Sequence, residues 1–171
     1  DELLAQNPKG IILDLRFNPG GYLITSVEVM SEFIDEGVVL IEQYGDGTRD
    51  TYTALGNGKA TDIPIVVLIN EGSASASEIV AGSLQDYGRA KLVGMQSFGK
   101  GSVQTLNLLS NDQGAARVTI ARWLTPNERL IQDVGLTPDY IVEMTDDDYT
   151  NNRDPQLDKA VEVLLGLIAQ K

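Results

Sequence analysis

The chain has 171 residues, enough for one domain with a full core, and 42% of them are hydrophobic, which excludes global disorder. Its 25 acidic side chains outnumber 13 basic ones for a net charge of −12, with no run of Lys and Arg, which argues against nucleic acid and anionic membrane surfaces as partners. Cysteine and histidine are both absent, so disulfides, thiolate nucleophiles, zinc–cysteine sites and a Ser-His-Asp triad are ruled out.

The chain opens at Asp1 with "DELLAQNPKG" rather than Met and reads as a segment of a longer protein. "GIILDLR" (10–16) is a short apolar run that predicts a buried strand, followed by the Pro-Gly turn of "FNPGGYL". "TSVEVMSEFIDEG" (25–37) carries Val27, Met30, Phe33 and Ile34 at helical spacing, with Thr25 or Ser26 as cap and Gly37 as stop. Two strands around Asp46-Gly47 form a predicted hairpin over 38–55. "IPIVVLIN" (63–70) is the strongest strand and therefore central. A helix is predicted over 75–88 and a strand over 90–94.

A second hairpin joins 102–110 to 115–125 through "NDQG", and a short strand is predicted over 140–143. "TDDDYTNNRDP" (145–155) reads as a solvated acidic loop. A last helix spans 155–170, with Leu157, Val161, Val163, Leu164 and Leu167 on its apolar side. Alternating elements first and hairpins later predict one α/β domain over 1–171, a mixed crossover-type sheet flanked by helices.

Three short stretches are candidates for chemistry. Ser75 in "EGSASASEIV" follows a buried strand and a tight turn at a helix start, as nucleophile elbows do. The free N–H groups there suit a developing oxyanion. Ser75 and Glu78 equally fit a capping box, and a serine-rich helix start taken alone is a cap.

"GMQSFGKGS" (94–102) matches most of a phosphate-binding loop. Gly101 stands where Ser or Thr should bind magnesium, though, and strand-like residues follow where a helix should start. Lys100 within it is either an exposed loop lysine or one pointed into the domain. Burial disfavours an ammonium, and a neutral amine accepts a serine proton. With histidine absent, Lys100 is the candidate base. In "DLRFNPGG" (14–21), Gly20 and Gly21 offer unobstructed backbone N–H groups, although a lone Pro-Gly turn is commonly structural.

In their order and spacing, "GIILDLRFNPGG", "VVLINEGSASASEIVAGSLQDYGRAKLVG", "SFGKGSVQT", "VTIARWLTP" and "GLTPD" resemble the carboxyl-terminal processing, or tail-specific, serine proteases. The resemblance covers nearly the whole chain. It implies a ClpP/crotonase-like protease core with Ser75 as nucleophile, Lys100 as general base and Gln104 orienting the lysine. It further implies an oxyanion hole from the Ala76 amide and a "NPGG" amide, Gly21 ahead of Gly20. It implies acyl-enzyme cleavage of polypeptides near their C-termini with no metal or cofactor, in an extracytoplasmic compartment. A PDZ domain of the parent protein, absent from this segment, would bind the substrate C-terminus. The competing expectation is a catalytically silent ligand- or peptide-binding module on the same scaffold.

Overall fold

The structure, a computed structural model, describes residues 1–110 and 113–170. In chain order its elements are β1 (Ile11–Asp14), α1 (Leu23–Ser31), β2 (Val38–Tyr44), β3 (Arg49–Thr53), β4 (Ile65–Ile69) and α2 (Ala76–Asp86). β5 (Ala90–Gly94), β6 (Ser102–Leu108), β7 (Ala115–Leu124), β8 (Tyr140–Ile141), α3 (Asp146–Thr150) and α4 (Pro155–Ala169) complete it. The fold is the mixed α/β class that the alternation predicts. Its parallel and antiparallel strands are segregated into two four-stranded sheets, ordered β1-β4-β5-β8 and β3-β2-β7-β6.

β4 is buried at all five positions and lies between β1 and β5, so the most apolar run is interior as its sequence requires. Its two faces feed two cores. Ile65, Val67 and Ile69 pack with Met30 of α1, Ile79 and Leu84 of α2, and Leu40 of β2. Val66 and Leu68 turn the other way, onto Ala160 and Leu164 of α4. The period-2 alternation of a strand thus places α1, α2 and the antiparallel sheet on one side and α4 on the other.

Several boundaries differ from the sequence reading. α1 begins at Leu23 after an extended Tyr22, and neither Thr25 nor Ser26 caps it; the Ser26 hydroxyl donates instead to Leu23 O within the first turn. The helix ends at Ser31, well before Gly37, where the Ser31 hydroxyl accepts the Leu55 N–H and ties the end to the β3 exit. The acidic stretch 145–155 contains α3, whose first-turn carboxylates Asp146, Asp147 and Asp148 suit a helix N-terminus capped by Thr145. On α4, Leu157 and Val161 are exposed, while Ala160 and Leu164 form the buried stripe. The tip of the second hairpin, at 111–112, lies outside the described residues, but both its strands form and pair.

α4 is fastened at its start by Arg16, which extends from the end of β1. The guanidinium donates to both carboxylate oxygens of Asp14, to both of Asp154 and to Gln156 Oε1. Asp154 also accepts the Leu157 N–H as the α4 cap. Asp14 first, then Asp154, raise the guanidinium's pKa above its ordinary value. The Arg16 hydrogen bond is the main cause holding the Asp154 carboxyl below the usual range.

A depressed carboxyl stabilises the fold above its unfolded-state pKa, about 4, and that contribution is lost as pH falls through the folded-state value. Arg16→Gln is therefore expected to cost about 2 kcal/mol at pH 7. Urea unfolding at neutral and acid pH checks this: the wild-type advantage should shrink below the unfolded value, and an advantage independent of pH would contradict it.

Candidate active site

Parallel pairing sends the chain out of β1, β4 and β5 in one direction, so the three turns that follow them leave from the same end of the sheet. The first two are stitched together by buried polar groups. Asn70 Oδ1 accepts from the Phe17 and Gly72 N–H groups at 2.8 and 3.1 Å. The Ser73 hydroxyl donates to Leu15 O at 2.7 Å and accepts the Asn70 N–H at 3.0 Å. Ala74 N–H donates to Asn18 O at 3.0 Å.

Ser75 stands at the junction of the second turn with α2. Its backbone has φ +57° and ψ −118°, a conformation that costs a non-glycine residue about 1–3 kcal/mol. The capping box is met largely through the backbone: Ser75 O accepts from the Glu78 and Ile79 N–H groups, and Ser75 N–H donates to Glu78 Oε2 at 2.8 Å. The half-buried Ser75 side chain lies on the Glu78 N–H side of this box but falls short of full hydrogen-bond geometry with it.

The "NPGG" turn passes directly beside it. Gly20 has φ +93°, and a Cβ there would lie 2.5 Å from Ala74 O and 2.7 Å from the Ala76 nitrogen. Only glycine permits this approach. The Gly20 N–H is occupied, donating to Asn18 Oδ1 at 3.0 Å. The N–H groups of Gly21 and Ala76 have no hydrogen-bond acceptor among the described residues.

The third turn brings Lys100. Gly99, at φ +88°, runs so close to the 131–135 segment that a Cβ would lie 2.9 Å from Gly135 N. Asp133 N–H donates to Gly99 O at 2.9 Å. Lys100 is half-buried, and its carbonyl accepts from the indole Nε1 of the buried Trp123 at 3.1 Å. Its amine makes no ion pair among the described residues.

One side chain joins the second turn to the third. Glu78 is fully buried, and its carboxylate accepts four hydrogen bonds. Oε1 takes the Ser97 hydroxyl at 2.6 Å and the Gly99 N–H at 2.7 Å. Oε2 takes the Ser75 N–H at 2.8 Å and the Lys100 N–H at 2.9 Å. The amides of the two candidate catalytic residues thus share one carboxylate oxygen. The sequence identifies Glu78 only as a helix-start partner, because its Ser97 and Gly99 donors lie 19 and 21 residues away in the chain.

Gly21, Ser75, Ala76, Lys100 and Gln104 line one cleft of about 460 Å³, with Trp123 in its wall. Gly20 lines a smaller adjoining cavity of about 150 Å³ that Gly21 and Ala76 also border. Gln104 shares the cleft but is not bonded to Lys100; its amide donates to Thr119 Oγ1 across the hairpin at 3.4 Å. The phosphate-loop reading fails on the backbone, since residues 102–108 form β6 where a phosphate-binding helix would begin. The cleft can accommodate an extended chain, offer a hydroxyl nucleophile and an amine base, and direct two free N–H groups at developing negative charge.

Residues 1–142 match peptidase family S41. The chain is 42% identical over 171 residues to a carboxyl-terminal-processing protease of Synechocystis sp., aligning 98% of the chain with 40% of that protein. It is 48% identical over 139 residues to a carboxy-terminal-processing protease of Bartonella bacilliformis, covering 79% of the chain and 31% of that protein. Among solved structures, the photosystem II D1 C-terminal processing protease superposes with a TM-score of 0.77 at 40% identity, over 83% of this chain and 36% of the other. The chain spans less than half the length of each.

Glu78→Gln keeps the volume but turns an NH₂ toward one pair of donors. Two buried groups then lose their acceptor, for an expected loss of about 2–4 kcal/mol. Chemical unfolding measures it, and a change under 1 kcal/mol (roughly a surface effect) would deny Glu78 its bridging part.

Proposed function

The chain belongs to peptidase family S41, and from that premise we propose that it is the core of a serine endopeptidase cleaving polypeptides near their C-termini through a Ser75–Lys100 dyad. The observation that carries the reading is the joint placement of the two residues. Ser75 sits on a strained turn with its side chain in the cleft, Lys100 lines the same cleft, and Glu78 holds both their amides.

Lys100, unprotonated, takes the Ser75 proton as Ser75 Oγ attacks the scissile carbonyl. The resulting oxyanion is held by the Ala76 and Gly21 N–H groups. Gly20 drops out as a donor because Asn18 already accepts its N–H. Each such donor contributes about 10²–10³ in rate in known cases. The tetrahedral intermediate collapses to an acyl-enzyme, Lys100 gives its proton to the leaving amine, and water then releases Ser75 by the same route in reverse. Gln104 orients the lysine once substrate fills the cleft, which requires it to leave Thr119.

The same reading includes a PDZ domain in the longer protein to bind the substrate C-terminus, and an extracytoplasmic setting. The greater length of the relatives supports the first, and the processing-protease resemblance supports the second.

In the full-length protein, Ser75→Ala and Lys100→Ala are each expected to lower peptide hydrolysis at least a thousandfold (an order-of-magnitude figure for members of a catalytic unit). Turnover close to wild type in either would sink the dyad. A serine-directed phosphonate should label Ser75 in the wild type and fail to in Lys100→Ala. An intact protein that resists labelling would favour the silent binding module instead.

A further inference from the structure

The cleft has a charge that its chain does not. Among the described residues no Asp or Glu lines it, although the sequence holds 25 of them, whereas Lys100 and Arg117 both do. Lys100 is taken up by the chemistry. Arg117 is not, and its guanidinium makes no hydrogen bond and no ion pair among the described residues. Elsewhere, Arg16, Arg49, Arg129 and Arg153 are each paired with carboxylates and Arg89 with carbonyls; Arg122, exposed on the same strand as Arg117, lacks a partner among the described residues as well but does not line the cleft.

The position of Arg117 follows from the hairpin. Arg117 and Thr119 stand opposite Leu106 and Gln104, which line the cleft, and so share their face; a bulge between Thr119 and Ala121 breaks the alternation before Ala121 and Trp123. Trp123 and Ala121 are buried at the root, Thr119 meets Gln104, and Arg117 stands beyond them, opposite Leu106, on the exposed part of the arm. It precedes Trp123 by six residues, about 20 Å of extended strand. Ser75 and Arg117 line the same cleft, so a polypeptide bound there across Ser75 and along the arm passes Arg117.

We propose that Arg117 is a specificity residue of this cleft, pairing with a carboxylate that the bound polypeptide carries a few residues from the bond to be cut. The proposal rests on the peptidase reading for its occupant. Guanidinium geometry favours bidentate capture of a carboxylate. The carboxylate is either an acidic side chain or the free C-terminus of a short trailing segment; both present the same group.

The test measures binding by the full-length protein carrying Ser75→Ala, by fluorescence anisotropy. One peptide pair differs only by Glu against Gln, and the other only by a free against an amidated C-terminus. The carboxylate member of one pair is expected to bind about threefold to tenfold tighter, less so at high salt. The pair that shows the effect identifies the source of the carboxylate. The preference should vanish in Arg117→Gln, reverse in Arg117→Glu and fall but survive in Arg117→Lys, which keeps the charge without the bidentate fork. Equal affinities in both pairs, or a preference that survives Arg117→Gln, would overturn the proposal. Cleavage by protein with Ser75 intact is read separately. Preference without cleavage defeats the peptidase reading and leaves Arg117 standing, and cleavage without preference does the opposite.

Discussion

A single buried carboxylate organises the cleft. Glu78 forms no salt bridge among the described residues; its carboxylate is met by four hydrogen-bond donors and lies in the first turn of α2. Bonds from neutral donors to a charged acceptor contribute about 1.5–3 kcal/mol each, and a buried carboxylate without them is very unfavourable. The donors therefore have little freedom to leave. Because they come from Ser75, Ser97, Gly99 and Lys100, satisfying one charge fixes the serine turn against the lysine turn. The strained backbone of Ser75 is tolerated in part because its N–H is held this way.

The rest of the site follows from the direction of the sheet. Turns that follow parallel strands gather at one end, and here three of them carry the residues proposed as nucleophile, base and oxyanion donors. Asn70 and Ser73 then do for the first turn what Glu78 does for the third. Arg16 extends the same logic outward: leaving the first turn, it locks the start of α4 and so ties the far face of the sheet to the "NPGG" segment.

Local signals in the sequence are good guides where one element decides the outcome. The unbroken apolar run of β4, the Asp46-Gly47 hairpin and the strand–turn–helix setting of Ser75 all depend on neighbours a few residues away. Long-range packing decides the rest. Ser31 ends α1 by bonding Leu55, which no helix-stop rule foresees. The α4 stripe is legible in part: Val163, Leu164 and Leu167 pack onto the sheet as their spacing predicts, whereas Val161 and Ala160 are adjacent and only the sheet beneath selects between them. Gly99 resembles a phosphate-loop glycine, yet what it does is let the chain pass against Gly135, 36 residues on. Arg117 carries no signal at all, since an exposed arginine on a strand is ordinary until the acids are seen to avoid the same cleft.

Trp123 sits at the root of the β6–β7 arm, with its indole on the Lys100 carbonyl, and Ser102 at the start of the same arm follows Lys100 by only two residues. The lysine turn is thereby a pivot shared by a rigid core and a long, solvent-washed lever. Whatever orders the far end of that arm therefore bears also on where Lys100, the proposed base, sits. In such an arrangement a contact remote from the proposed base acts on its position without touching any reacting atom.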